Sequence, residues 1–366
     1  MIRNTGLVLA LAFSMVNVAA QAEEINEKIS VGGVLSGAMQ CQRVSDAPGF
    51  GGACSGGLPF QPEVSIRPTD ADEVFFKFGF AAGSGLASSS PSAVSSWAAD
   101  LEDDVRNING RNRDYLLTAW YRHDFALENS RNLGVTIGII DSTDYLDENA
   151  FANDEYTQFM NPALSNGPNV FLPSYDVGTA VEWNSGAWSV RGVLMNIGAN
   201  DDGNNFNFYG VQAGYKLDSA MGEGNYRLVV AGASQAFLDP TATSKESRAG
   251  ALFSLDQQFG KRLGGFLRIG WQTDDAAVDY VAIYSGGLDI RGSAWGRSND
   301  NIGLGYAYLD GGNTGIVSTY LAEAYYRWQL GKVLGLTADI QYEKDDNVVG
   351  ADPSGLVMGF RMTAEF

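Results

Sequence analysis

Histidine occurs once in this chain, at His123, and cysteine twice, at Cys41 and Cys54. A single histidine excludes histidine-rich metal centres and leaves any histidine-based catalytic triad one candidate base. Two cysteines are too few for a disulfide framework. Both lie in one glycine-rich segment, where they either form one local disulfide, tying a loop in an oxidising compartment, or stay as free thiols. Positive charge is scarce: 24 Lys and Arg against 43 Asp and Glu leave a formal net charge of −19. Nucleic acid is therefore a poor partner, because phosphates repel an acidic surface. Beyond the first residues no long apolar run occurs, so no transmembrane helix is expected. Helical periodicity is nearly absent as well.

What is present begins with MIRNTGLVLALAFSMVNVAAQA. Arg3 gives a positive start, Leu7–Val18 an apolar core and Ala20-Gln21-Ala22 a small-residue cleavage site. Residues 1–22 are thus expected to be a signal peptide, and 23–366 the exported chain.

Glycine is abundant in the rest, and short runs alternate apolar with polar residues. The period-two pattern marks about sixteen strands, at 27–40, 61–67, 72–82, 113–127, 131–141, 174–184, 186–197, 204–217, 224–236, 246–260, 263–273, 279–291, 300–310, 316–330, 333–343 and 354–366. Tight connections, such as Glu128-Asn129-Ser130, Asn184-Ser185-Gly186 and Gly331-Lys332, alternate with longer ones at 41–60, 83–112, 142–173, 237–245 and 344–353. The connection at 292–299 is long for its side and 274–278 short. In the last strand Leu356, Met358, Phe360 and Met362 share one face, Arg361, Thr363 and Glu365 the other. A soluble sandwich also alternates, but this strand number exceeds one sandwich, and Trp183, Trp188 and Trp328 sit near strand ends as interfacial girdles do. The expected fold is all-β: a transmembrane antiparallel barrel, closed because lipid leaves no backbone group unpaired.

The connection 142–173 is too long for an ordinary loop and too apolar to stay in water, with Tyr145, Phe151, Tyr156, Phe159, Met160 and Phe171. It is expected to fold inward as a constriction. Phe151, Glu155 and Phe159 at i, i+4 spacing predict a short helix over Glu148–Met160, stopped by Asn161–Pro162.

If the apolar faces meet lipid, the lumen receives Arg67, Lys77, Arg122, Arg191, Arg227, Arg248, Arg268, Arg327 and Arg361, with fewer carboxylates, among them Glu63, Asp124, Glu323 and Asp339. The loop supplies Asp144, Asp147, Glu148, Asp154 and Glu155. A basic wall facing an acidic loop sets a transverse field that sorts small polar solutes. Candidate solute contacts are Trp120, Arg122, Asp124, Arg191, Arg268, Glu323 and Arg327 on the wall and Asp154 and Glu155 on the loop; Trp120 and Tyr325 are the aromatics placed to stack on a sugar ring. An enzyme is not expected. His123 falls on the apolar phase near the inner end of its strand, and adjacent Asp154 and Glu155 point in different directions. No cofactor or metal is implied.

The segment IGIIDSTDYLDENAFANDEYTQFMNPAL resembles the inserted-loop region of the carbohydrate-selective porins of the OprB family, through Phe151, Ala152, Asn153, Asp154, Glu155, Thr157, Gln158 and Phe159. Tyr156 stands where a Thr is common. LPSYDVGTAVEW and NIGLGYAYLDGG also look like strands of that family, so the resemblance spans about Phe60–Phe366. It implies a sixteen-stranded barrel in bacterial outer-membrane lipid that passes small sugars by facilitated diffusion, and porins are often homotrimers. The alternative is a general diffusion porin for small hydrophilic solutes and ions without sugar preference. The resemblance assigns no role to 83–112 or to the Cys41–Cys54 segment.

Overall fold

The computed structural model describes residues 23–366 except 88, 129–130 and 168–170. The expected signal peptide, residues 1–22, and the turn residues Asn129 and Ser130 lie outside the described residues. Eighteen strand segments join edge to edge in one antiparallel sheet. Two of them, Asp72–Phe78 and Phe80–Ala82, are one strand interrupted at Gly79, and Glu23–Asn26 is a short addition paired to the strand after it. Sixteen barrel strands remain: β1 (Ile29–Ser45), β2 (Ala53–Thr69), β3 (Asp72–Phe78, continued by Phe80–Ala82), β4 (Leu116–Leu127), β5 (Arg131–Ile140), β6 (Asp176–Ser185), β7 (Trp188–Ile197) and β8 (Phe206–Ser219), then β9 (Gly222–Leu238), β10 (Lys245–Phe259), β11 (Leu263–Gln272), β12 (Tyr280–Arg291), β13 (Asn301–Gly311), β14 (Ile316–Leu330), β15 (Leu334–Asn347) and β16 (Ser354–Glu365).

Each strand pairs with its neighbours in sequence, and β16 returns to β1 from Ser354↔Ser45 to Glu365↔Val34. Backbone bonds between Gly33 and Phe366 extend that seam by one more pair. Closure leaves no barrel edge unpaired, which is the condition for strands to stand in hydrocarbon. The alternation has the matching sense. Leu356, Met358, Phe360 and Met362 are exposed on β16, while Arg361 and Thr363 are buried inside. Exposed apolar side chains recur around the circumference, including Ile137, Leu194, Val211, Leu228, Leu304 and Ile340. Trp188 meets Tyr215 and Tyr326 meets Trp328 at the tight-turn end. Trp271, Tyr284, Tyr308 and Tyr320 form a row across four adjacent strands at the loop end. These are the two aromatic girdles of a lipid-embedded barrel.

Three expectations need correction. β1 runs on to Ser45 and β2 starts at Ala53, so the connection is 46–52 rather than 41–60. Glycines and polar residues blurred the alternation there. Cys41 and Cys54 are consequently cross-strand partners joined by a disulfide, which ties two strands and not a loop. The helix over 148–160 is also absent; among the described residues of this loop the only α-helical turn is Pro162–Ser165, which Asn161 caps instead of stopping a helix. Local side-chain bonds compete with helical ones here. Asp154 accepts from the backbone N–H groups of Tyr156 and Thr157, and Gln158 from that of Asn153. Moreover, the carbonyls of Ala152, Glu155 and Gln158 point at wall arginines, away from any helix axis.

Candidate channel constriction

Two loops fold into the lumen. The first is the expected one, 141–175 between β5 and β6, which runs around the inner wall from β7 to β16. Its apolar side chains enter notches where the wall has only glycine. A Cβ at Gly210 would stand 2.5 Å from Leu146, one at Gly264 2.3 Å from Phe151, and one at Gly305 2.7–2.8 Å from Leu164 and Phe159. Wall side chains bind the loop's backbone between these notches. Arg268 donates to Asp147 Oδ1 and to the carbonyls of Leu164 and Ala152, at 2.6–2.8 Å. Arg361 donates to the carbonyls of Glu155 and Gln158 at 2.6 and 2.9 Å. Glu323 accepts from the N–H groups of Met160 and Asn161.

The second loop, 83–115 between β3 and β4, also folds inward, which its sequence had not led us to expect. Ala93 and Val94 donate to Asp345 and Glu343 on β15. The Ser96 carbonyl accepts from Gln40 on β1 and Gln341 on β15, both at 2.9 Å. Trp97 then braces the first loop: its indole N–H donates to the Glu155 carbonyl, and Ala98 N–H donates to that of Met160. The stretch Trp97-Ala98-Ala99-Asp100-Leu101 has the apolar-plus-acidic character that marked 142–173, so the same argument was available for it.

The two loops divide the wall. On β10–β16 the lumen-facing groups are covered: Arg268 and Arg361 have no exposed side-chain area, and Glu323, Tyr325, Arg327 and Asp339 are buried. On β2–β7 several charged groups remain partly exposed, chiefly on β2–β4. Side-chain exposure is 34% for Glu63, 23% for Lys77, 21% for Arg122 and 41% for Asp124.

Of the residues singled out in the sequence, Arg122, Asp124 and Arg191 meet in this sector. Arg122 pairs with Asp124 at 2.9 Å and with Glu182 on β6; Arg191 pairs with Glu148 on the loop and lies 3.5 Å from Glu182. Trp120 stands above Arg122 on the same face, stacked on Phe75 with ring centroids 4.9 Å apart. Arg268 and Glu323 stand on the far wall, occupied in holding the loop. Arg327 bridges to Glu365 near the tight-turn end. Tyr325 packs edge-on against Phe159. Asp154 caps its own turn through Thr157, and Glu155 is half-buried between the loops. His123 lies outside the site, 2.7 Å from Asp72 and edge-on to Phe125.

Asp100, Tyr156 and Tyr175, which the sequence pattern did not mark as site residues, lock the two loops to β2. Gln61 donates to Asp100 at 2.6 Å and to the Tyr156 hydroxyl at 2.9 Å, and Tyr175 donates to Asp100 at 2.6 Å. Burial inside the barrel raises the loop carboxyls, reinforced by their neighbours' charges. Asp100 is pushed up to about 6, Asp144 to about 7 with help from Asp141, and Glu155 to about 8 with help from Asp154 and Asp100. The Asp144 residue is exposed, towards the lumen.

A closed barrel with an apolar exterior and two loops folded into its lumen defines a porin-type channel. The profile of the carbohydrate-selective porin family, OprB, matches residues 79–366, and the chain belongs to that family. Its function is outer-membrane passage of sugars. The structure of Pseudomonas putida OprB at high pH superposes with a TM-score of 0.73 at 16% identity, covering 93% of this chain and 94% of that one. The outer-membrane channel DcaP of Acinetobacter baumannii gives 0.57 at 11% identity, with 95% and 100% covered. An Aquifex aeolicus sequence described only as an uncharacterized protein is 29% identical over 272 residues, 74% of each chain.

Proposed function

We propose that small sugars diffuse passively through a gap between the β2–β7 sector and the loops, with Trp120, Arg122, Asp124 and Arg191 on the wall and Glu155 on the loop side as their polar and stacking contacts. The solute sheds part of its hydration at the gap and exchanges water for guanidinium and carboxylate partners, weakly enough to leave again. Arg268, Glu323 and Arg361 act one step removed, by fixing the loop that sets the gap's width. Asp154 keeps the turn that presents Glu155. The single observation behind this reading is the division of the lumen, with polar groups spent on loop anchoring on one side and left partly exposed on the other. Export by cleavage of residues 1–22, insertion in outer-membrane lipid and assembly as a homotrimer complete the proposal. Liposome swelling with neutral sugars tests it: Arg122→Ala with Arg191→Ala should change sugar rates while the barrel still assembles. Unchanged rates for a panel of sugars would contradict the assignment.

A further inference from the structure

The polar groups beside the two loops do not form the balanced field that the sequence suggests. Most wall arginines are spent: Arg268 and Arg361 on loop carbonyls, Arg227 on Asp256, Arg327 on Glu365, and Arg248 on Gln272 beside the Phe171 ring. On the upper part of the wet sector the strand cation is Lys77 of β3; Arg111 and Arg113 of the second loop are spent on Asp176 and on the Tyr175 carbonyl. Lys77 is 3.1 Å from Glu63 and within electrostatic reach of Asp141 and Asp144 on the first loop. Asp100 and Glu155 are within its electrostatic reach as well, Asp100 being held by Gln61, two residues before Glu63 on β2. These carboxylates are held by different elements: Asp100 by Gln61 and Tyr175, Asp141 by Thr143 and Ser174, while Asp144 is exposed in the lumen. Below these carboxylates, Arg122 and Arg191 face Asp124, Glu182 and Glu148, so no positive surplus offsets them among the described residues.

We infer that the carboxylate ring around Lys77 makes this channel selective for neutral and amino sugars over anionic ones, with the previously unassigned 83–115 loop contributing to that choice through Asp100. The inference rests on the sugar-porin reading and names its substrate class. A uronate or sugar phosphate entering the ring finds one ammonium, already paired, among Glu63, Asp100, Asp141, Asp144 and Glu155. A neutral hexose meets acceptors for its hydroxyls, and a protonated amino sugar adds a favourable charge. In a low-dielectric cleft such a field changes local solute concentration on the order of tenfold or more.

The test is efflux of radiolabelled glucose, glucosamine and glucuronate from proteoliposomes carrying the full barrel, at pH 8 in low salt. Glucuronate should leave on the order of tenfold more slowly than glucose, and glucosamine at least as fast as glucose. About 1 M salt should shrink the difference, because screening then acts within roughly 3 Å. Asp100→Asn with Asp144→Asn should raise the glucuronate-to-glucose ratio; the amide oxygen introduced in place of the Asp100 carboxylate can still accept from Gln61 and Tyr175. Lys77→Gln should lower the ratio further. Equal efflux of glucuronate and glucose, or a ratio unmoved in the double variant, overturns this inference alone. No glucose efflux above protein-free liposomes overturns the sugar-porin reading and this inference with it.

Discussion

Arg268 on β11 donates its Nε to Asp147 Oδ1 at 2.8 Å, and neither side chain reaches solvent. The same guanidinium holds the carbonyls of Leu164 and Ala152, so one wall residue ties three points of the constriction loop. Asp147 in turn accepts from Gly167 N–H, joining the loop's two legs. Breaking a buried pair by removing one partner leaves the other charge uncompensated, at a cost of about 3–5 kcal/mol. Arg268→Ala should therefore lower stability to urea by that order and free the loop, raising single-channel conductance. Conductance and stability both at wild-type level would show that Arg268 does not anchor it.

The glycine notches make a separate steric prediction. At Gly305 a side chain would run into Phe159 and Leu164. Gly305→Leu should cost about 1–3 kcal/mol as overpacking and lift the loop from the wall. Limited proteolysis reads this out directly. Cleavage near Phe159 should appear in the variant and be absent from the parent barrel.

The wet sector should respond differently from the anchors. Arg122→Ala leaves Glu182 still facing Arg191 at 3.5 Å, so the barrel should assemble normally. Sugar-induced current block should weaken by about tenfold or more, since a charge-assisted bond contributes about 1.5–3 kcal/mol. An unchanged block would move the sugar path off this wall.

Proton uptake by the loops predicts a pH dependence. Glu155, Asp144 and Asp100 hold their protons up to about 8, 7 and 6, because burial disfavours their charged forms. Lowering the pH from 9 to 5 neutralises them in that order. The preference for K⁺ over Cl⁻, read from reversal potentials in a salt gradient, should fall over this window. The linked stability effect covers the same window with the opposite sign. Below the ordinary carboxylate value both folded and unfolded chains are protonated; above it only the unfolded chain ionises freely, so stability falls as pH rises towards 8. A cation preference flat between pH 9 and 5 would contradict these assignments.

The barrel was legible in the sequence because side-chain alternation and lipid impose the same period. Leu356 to Met362 announce the outer face, and each expected strand has its counterpart in the structure. The inward fold of 142–173 was legible for a similar reason, too much apolar surface to leave wet. Its helix was misread because i, i+4 spacing cannot show that the carbonyls of Ala152, Glu155 and Gln158 are claimed by Arg268 and Arg361, over a hundred positions later in the chain. The same distance hid the difference between Arg268 and Arg122. Both alternate inward, and only the loop's path decides which is covered. Asp100 was overlooked because the segment around it lacks a strand pattern, although Trp97, Leu101 and Val105 gave it a buried face.

Sugar is proposed to bind in a gap between the β2–β7 wall and the two inserted loops. Single-channel recording of the purified barrel in a planar bilayer, with neutral sugars added stepwise, tests it most directly. The account predicts a concentration-dependent drop in current with added noise, weakened in Arg122→Ala. A current indifferent to every sugar at concentrations up to molar would contradict it and leave an unselective pore.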